Sequence, residues 1–266
     1  MERFPFSLAT IVAVGCFFMP SSAFSQSPIE ISTLEQLQAI ADRLDADYIL
    51  IKDIDASQTK FWNDGKGFDP ICIRRSDVTL NGFTGAFDGN GHAIANLTIN
   101  RPEESYQGLF GYCSGYSRVK NLKLTNVFIS GNGNVGGLVG RFEGTSIENC
   151  SVTGVINATS NGAGGLAGYA FGALTNCRTD CTVNGFQDVG GLAGGASARI
   201  EGCNSTGAVS GLRKYVGGLI GLATPSTFVR CHSSCRVVGT TYSGGLAGYC
   251  HTGHVSECFA DGHVTG

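Results

Sequence analysis

The chain has 266 residues, 40 of them glycine, with 42% hydrophobic and 15% charged side chains. That is too apolar for a disordered segment, and the glycines lack collagen's three-residue period. A formal charge of −3 and a pI near 5.9 leave no basic field to gather nucleic acid, so no nucleic-acid partner is expected.

Residues 1–25 read as a secretory signal peptide. Arg3 supplies the positive start, Phe6 to Met19 is almost continuously apolar, and Pro20 to Ser25 offers small residues for cleavage after Ala23 or Ser25. The apolar stretch falls short of the roughly 20 residues a spanning helix needs. Ala13-Val14-Gly15-Cys16 has the outline of a lipoprotein box, but Ala13 and the run Phe17-Phe18-Met19 fit lipidation poorly. The mature chain is therefore expected to hold no transmembrane span, and to be secreted or kept in the periplasm or at a bacterial cell surface.

Residues 26–55 are expected to form an N-terminal cap. Ser32-Thr33-Leu34-Glu35 matches a capping box, and Leu34, Leu37, Ile40, Ala41 and Leu44 follow a helical period. Tyr48 to Ile54 reads as a strand. Residues 56–82, with Trp62, Asn63, Asp64, Gly65 and Gly67, read as a loop insertion.

From residue 83 to 266 the chain repeats. Gly-Leu-x-Gly recurs with its leucine at Leu109, Leu138, Leu166, Leu192, Leu219 and Leu246, in steps of 29, 28, 26, 27 and 27 residues. A second column runs through Ile94, Val119, Ile147, Leu174, Ile200, Phe228 and Val255. Three residues later come Leu97, Leu122, Cys150, Cys177, Cys203, Cys231 and Cys258, the first four preceded by Asn96, Asn121, Asn149 and Asn176. A further column is Phe128, Ile156, Val183, Val209, Val237 and Val264. A period near 27 with fixed apolar columns predicts stacked coils of about three short strands each. Helical repeats fail on the paired glycines, and a propeller blade needs about 40–45 residues. The fold class expected is all-β: a right-handed parallel β-helix, or β-solenoid, of about six to seven coils with an N-terminal α-helical cap. The sequence ends at Gly266 in a strand with no second cap. Either a longer protein continues it, or the last coil packs against a sister chain by self-association.

The Gly-Gly-Leu-x-Gly units, each with a following segment such as Ile147-Glu148-Asn149-Cys150, resemble the GLUG repeats of bacterial surface and secreted proteins. Phe83 to His92 resembles the entry coil ahead of such repeats, and the upstream Tyr48 to Asp55 resembles its companion. The resemblance covers roughly residues 30–266. It implies a β-solenoid with an adhesin-like, non-catalytic role. Some proteins with such repeats are immunoglobulin-A proteases of zincin type, but this sequence has no His-Glu-x-x-His segment, so protease activity is not carried over.

Chemistry is sparse. The cysteine column fills a slot that leucine holds in earlier coils, so mostly buried free thiols are expected. Cys181 and Cys235 lie two coils apart, too far to bridge. His232, His251, His254 and His263 gather near Cys231, Cys235 and Cys250, but in no metal-ligand spacing. No cofactor or metal is expected. Glu148 and Glu201 share a column with Thr175 between them, the best carboxylate pair for the alternative of a polysaccharide lyase or hydrolase. Tyr112, Tyr169 and Tyr249 each follow a Gly-Leu-x-Gly, with Tyr106, Tyr215 and Tyr242 just before one. Exposed tyrosines on a stacked face are the candidate ligand contacts. The function expected is a structural or adhesive repeat protein that binds a glycan, a host or matrix protein or a sister chain, without catalysis.

Overall fold

The computed structural model describes residues 27–72 and 82–266; the signal peptide read in residues 1–25 and Cys16 lie outside the described residues. Nearly every strand pairs in parallel with the strand one repeat away. The chain is a β-solenoid of about six turns whose rungs form four sheets of nine, eleven, five and six strands. We number them in the order that one coil visits them.

Sheet 1 has nine strands and includes Ser146–Glu148, Ala173–Thr175 and Arg199–Glu201. Each points one apolar residue inward: Ile147, Leu174 and Ile200 are fully buried. The chain then turns through the asparagine position, where Asn121, Asn149 and Asn176 have φ of 55°, 53° and 52°. Asparagine tolerates this left-handed conformation, and its amide adds a second bond. Asn149 Nδ2 donates to Asn121 Oδ1 at 3.2 Å, and Asn121 Nδ2 to Asp88 Oδ1 at 3.0 Å. Sheet 2 follows with eight-residue strands such as Arg178–Gly185, which alternate between exposed and buried as a half-buried sheet must. Sheet 3, including Gln187–Gly190, and sheet 4, including Ala193–Ala196, are joined by the Gly-Leu corner. A coil therefore carries four strands rather than the three expected. Glycine pairs and leucine look alike as turn and strand signals, and here they separate two strands.

The corner explains the motif. Leu109, Leu138, Leu166, Leu192 and Leu219 are fully buried, whereas Leu246 is half-buried. Each such side chain stabilises the fold by roughly 1.5–3 kcal/mol. The glycine two residues on lets sheet 4 lie against the backbone of sheet 3. A Cβ on Gly168 would sit 2.5 Å from the Asn134 carbonyl carbon, and one on Gly248 2.4 Å from the Val216 nitrogen.

The first coil departs from the sequence columns. Val119 pairs with Phe87, not Ile94, and Ile94 pairs with Leu124 in sheet 2. Leu97 likewise belongs to sheet 2, where Phe128 N donates to its carbonyl. Downstream, Ile156 pairs with Ile129 rather than Phe128. The cause is a bulge in Lys123–Gly131, with Asn126 at φ 54°. The extra residue turns Phe128 outward, 40% exposed.

The N-terminal end is closed by helix Leu34–Gln38 and a 3₁₀ turn Ala39–Asp42, which bury Leu34, Leu37 and Ile40. The capping box is one residue later than read from the sequence: Thr33 is the N-cap and Gln36 reciprocates. Gln38 clamps the helix to the next segment, donating to Asp69 O at 2.8 Å and accepting from Asp69 N at 3.1 Å. The expected strand Tyr48 to Ile54 is two strands, Tyr48–Leu50 and Ile54–Asp55. The described part of 56–82 is not a loose insertion. Phe68 and Ile71 are fully buried, and Ile71 and Phe83 each bridge to the sheet 4 strand Phe110–Cys113. Phe83, Phe87 and Phe110 pack at 4.9 and 5.5 Å, an aromatic plug beneath the cap. No helix among the described residues is long and apolar enough to cross a membrane.

Candidate ligand-contact face

Two columns of side chains run along the outer edge where sheets 3 and 4 meet. One lies in sheet 4: Tyr112, Arg141, Tyr169, Gly195, Leu222 and Tyr249, in register through successive coils. The other lies at the start of sheet 3 or just before it: Tyr106, Asn134, Gly162, Asp188, Tyr215 and Tyr242. These residues share a positive φ, from 53° at Asn134 to 81° at Gly162.

The expected contact residues divide by what holds their hydroxyls. Tyr112 is only 7% exposed and donates to Glu143 Oε2 at 2.6 Å. Arg141 grips the other oxygen of that carboxylate at 2.6 Å. Tyr169 lies across Gly162 and Gly195, where a Cβ would meet its ring at 2.2 Å, and donates to Asp188. Asp188 is 4% exposed, and its Oδ1 has no partner among the described residues. Burial pushes its carboxyl above the usual range, although the Tyr169 hydroxyl works the other way. Burial, then the bond to Asp188, raises the Tyr169 phenol in turn. These two tyrosines are structural ties.

Tyr249 is different. It packs at 5.1 Å from Tyr215 and 5.8 Å from Tyr242, with Tyr215 and Tyr242 at 5.4 Å and His251 at 6.4 Å from Tyr249. Tyr242 is 54% exposed, and Tyr215 and Tyr249 are half-buried. The sequence paired each tyrosine with its motif. Only the register shows that Tyr215 and Tyr242 stand on adjacent coils beside Tyr249.

The other candidate groups are engaged by their neighbours. Thr175 pairs with both Glu148 and Glu201, so the two glutamates stand two coils apart, as the spacing predicts. Glu148 accepts from Ser146 at 2.6 Å. Arg199, at 2.7 Å, and Arg230 clamp Glu201 and hold its carboxyl below the usual range. His232 bonds Asp261 at 2.9 Å and stacks on Phe259 at 4.0 Å. No three His, Cys, Asp or Glu side chains among the described residues are placed to hold a metal ion.

The column cysteines are free thiols, buried from Cys150 to Cys231 and half-buried at Cys258. Their role is at the corner between sheets 1 and 2. Cys203 Sγ donates to Leu174 O in the coil before, at 3.5 Å, and to Glu201 O at 3.4 Å. Cys177 and Cys231 repeat that pattern. A thiol fills the leucine slot and adds a weak donor to corner carbonyls. Burial pushes the Cys150 and Cys181 thiols up to about 12. Gly154, Cys181, Gly207 and Cys235 share one column, so the last cysteine is two coils from Cys181, as expected.

A family model for the GLUG motif matches residues 131–157 and 187–210. The chain carries GLUG repeats. The first match starts at the end of one sheet 2 strand, passes through sheets 3, 4 and 1, and ends in the next sheet 2 strand. A GLUG unit is thus one turn of the solenoid. The GLUG chain is 36% identical over 204 residues to halomucin of Haloquadratum walsbyi, covering 74% of this chain and 2% of that protein. It is 33% identical over 141 residues to a Gly-rich protein of Evansella cellulosilytica named as a membrane protein, covering 51% and 15%. It therefore spans a small part of either relative's length. Among solved structures, a candidate immunoglobulin A1 protease from Bacteroides ovatus superposes with a TM-score of 0.70 at 20% identity. That match covers 87% of the GLUG chain and 74% of the other; it is a likeness of fold.

Proposed function

We propose that this chain is a secreted or surface-exposed adhesive repeat module that holds a glycan, a matrix protein or a sister chain without turning it over. The observation that carries the reading is the tyrosine cluster. Tyr215, Tyr242 and Tyr249 combine ring surface with hydroxyls that make no hydrogen bond among the described residues, as a polar ligand requires. The carboxylates that a lyase or hydrolase would use are engaged instead, Glu201 by two arginines and Glu148 by Ser146. The apolar N-terminal segment and the names of the two relatives support a place outside the cytoplasm.

The test is a panel of polysaccharides and matrix proteins, read in parallel for binding and for reducing ends or unsaturated products, with light scattering for self-association. Saturable binding without product supports the proposal. Turnover lost on Glu148→Gln or Glu201→Gln would overturn it, and so would a panel in which nothing binds and the chain stays a monomer.

A further inference from the structure

Charge is unevenly spread along this chain. The whole is acidic at −3, yet residues 202–256 contain no Asp or Glu and four strong bases, Arg213, Lys214, Arg230 and Arg236. The tyrosine cluster lies inside this stretch. Arg230 is taken up by Glu201. Arg213 lies over the Phe186 ring at 5.3 Å and has no carboxylate partner among the described residues. Lys214 has none there either, and both side chains are exposed. Lys214 pairs with Thr241 across adjacent coils, which sets Tyr215 and Tyr242, the next residues, side by side. The carboxylate one coil away in the same column is Asp188, buried and bonded to Tyr169. Its charge is turned away from the surface.

From this juxtaposition we infer that the ligand is an anionic polysaccharide, its sugar rings on Tyr215, Tyr242 and Tyr249 and its acid groups facing Arg213 and Lys214. The inference rests on the binding role proposed above and narrows it to one chemistry. A quaternary ammonium or other cation fits poorly. The three rings pack on one another at 5.1 to 5.8 Å, with interplanar angles of 31°, 42° and 73°, so they form a ledge and not an open cage. The charges beside them are also of the wrong sign. A sugar ring offers C–H edges to the aromatic faces and hydroxyls to the three phenols. Its carboxylate or sulfate takes the charge-assisted bonds of a guanidinium and an ammonium.

The experiment measures binding of the chain to polygalacturonate and to dextran sulfate, each beside its uncharged counterpart, the methyl ester and dextran. Binding to either acidic polymer is expected, at least tenfold weaker to its neutral form and weaker at high salt. Tyr242→Ala and the pair Arg213→Gln/Lys214→Gln should each cost tenfold or more, Tyr242→Phe less, and Arg118→Gln on sheet 1 nothing. All these positions are exposed, and unchanged thermal melts show that the variants fold. Preference for one polymer identifies carboxylate or sulfate as the group read. Equal affinity for charged and neutral forms, or equal binding of polyglutamate, overturns the inference. If only a neutral glycan or a protein binds, the inference fails while the binding role stands. If nothing in the wider panel binds and no self-association occurs, both fail.

Discussion

Gly194→Ala tests whether the Gly-Leu-x-Gly motif is a contact motif or a conformational one. Gly194 needs no left-handed backbone. A methyl there would lie 2.5 Å from Ala163 N, 2.5 Å from Asp188 O and 2.7 Å from the Gly162 carbonyl carbon. All three atoms are backbone of sheet 3 strands, held by inter-coil hydrogen bonds, so no side-chain rotation can relieve them. Ordinary carbon contacts lie at about 3.5–4.0 Å, so sheets 3 and 4 must part locally by about 1 Å. Overpacking of this kind costs 1–3 kcal/mol. With only backbone to give way, the expected loss is near the top, about 3 kcal/mol. For a chain of this size that is a fall in Tm of roughly 6–12 °C. Gly91→Ala is the comparison: φ is +79° with nothing within 4 Å of the added methyl, so its cost is the left-handed penalty alone, about 1–2 kcal/mol. Urea titrations of both variants give the two losses. If Gly194→Ala costs no more than Gly91→Ala, the close approach of sheets 3 and 4 is not what retains the glycine.

Three further outcomes follow from the same geometry. Tyr169→Phe leaves the buried Asp188 carboxylate with neither oxygen bonded, at a cost of about 1–3 kcal/mol; because burial already raises that carboxyl, urea titrations should show a smaller penalty at pH 4 than at pH 7. Leu192→Ala should cost about 2–5 kcal/mol and Leu246→Ala clearly less, since Leu192 is fully buried and Leu246 half-buried; equal losses in calorimetry would contradict the burial. Cys250, exposed, should react promptly with a thiol reagent, and the seven buried cysteines only on unfolding. Because the Cys150 and Cys181 thiols stand near 12 when folded and near 8.5 when unfolded, their contribution is full below about pH 8.5. It declines as pH rises towards 12, by about 1.4 kcal/mol per unit for each thiol.

Most of the solenoid was legible because a stacked coil repeats its own register. From Val119 onward, the Ile147, Cys150 and Leu138 columns of the sequence are spatial neighbours. The reading slipped wherever a coil departs from the repeat length. One extra residue at Asn126 moved Phe128 to the surface, and the Gly89-Asn90-Gly91 turn moved Ile94 from sheet 1 to sheet 2. Residues 56–72 contain turn residues in plenty, yet they bury Phe68 and Ile71 against coils about 30 to 40 residues away in sequence, a contact that no local pattern reports. The tyrosines were visible, but not which of them are free to bind. Tyr112 and Tyr169 are tied by Glu143 and Asp188, 31 and 19 residues distant. One usable signal lay in the composition, in the stretch without carboxylates around Tyr215 and Tyr249.

The strands run across the solenoid axis, so the hydrogen bonds between coils run along it. Tension between the two ends of the chain loads those bonds in series, so an interrupted rung is a weak point. Between the coils of Asn204–Gly211 and Arg236–Val238, the eight-residue sheet 2 strand faces two fragments, His232–Ser233 and Arg236–Val238, broken at Ser234-Cys235. Tyr215 stands on one side of that junction, Tyr242 and Tyr249 on the other. Opening that junction pays out about 90 Å of slack for one coil and parts Tyr215 from Tyr242 and Tyr249.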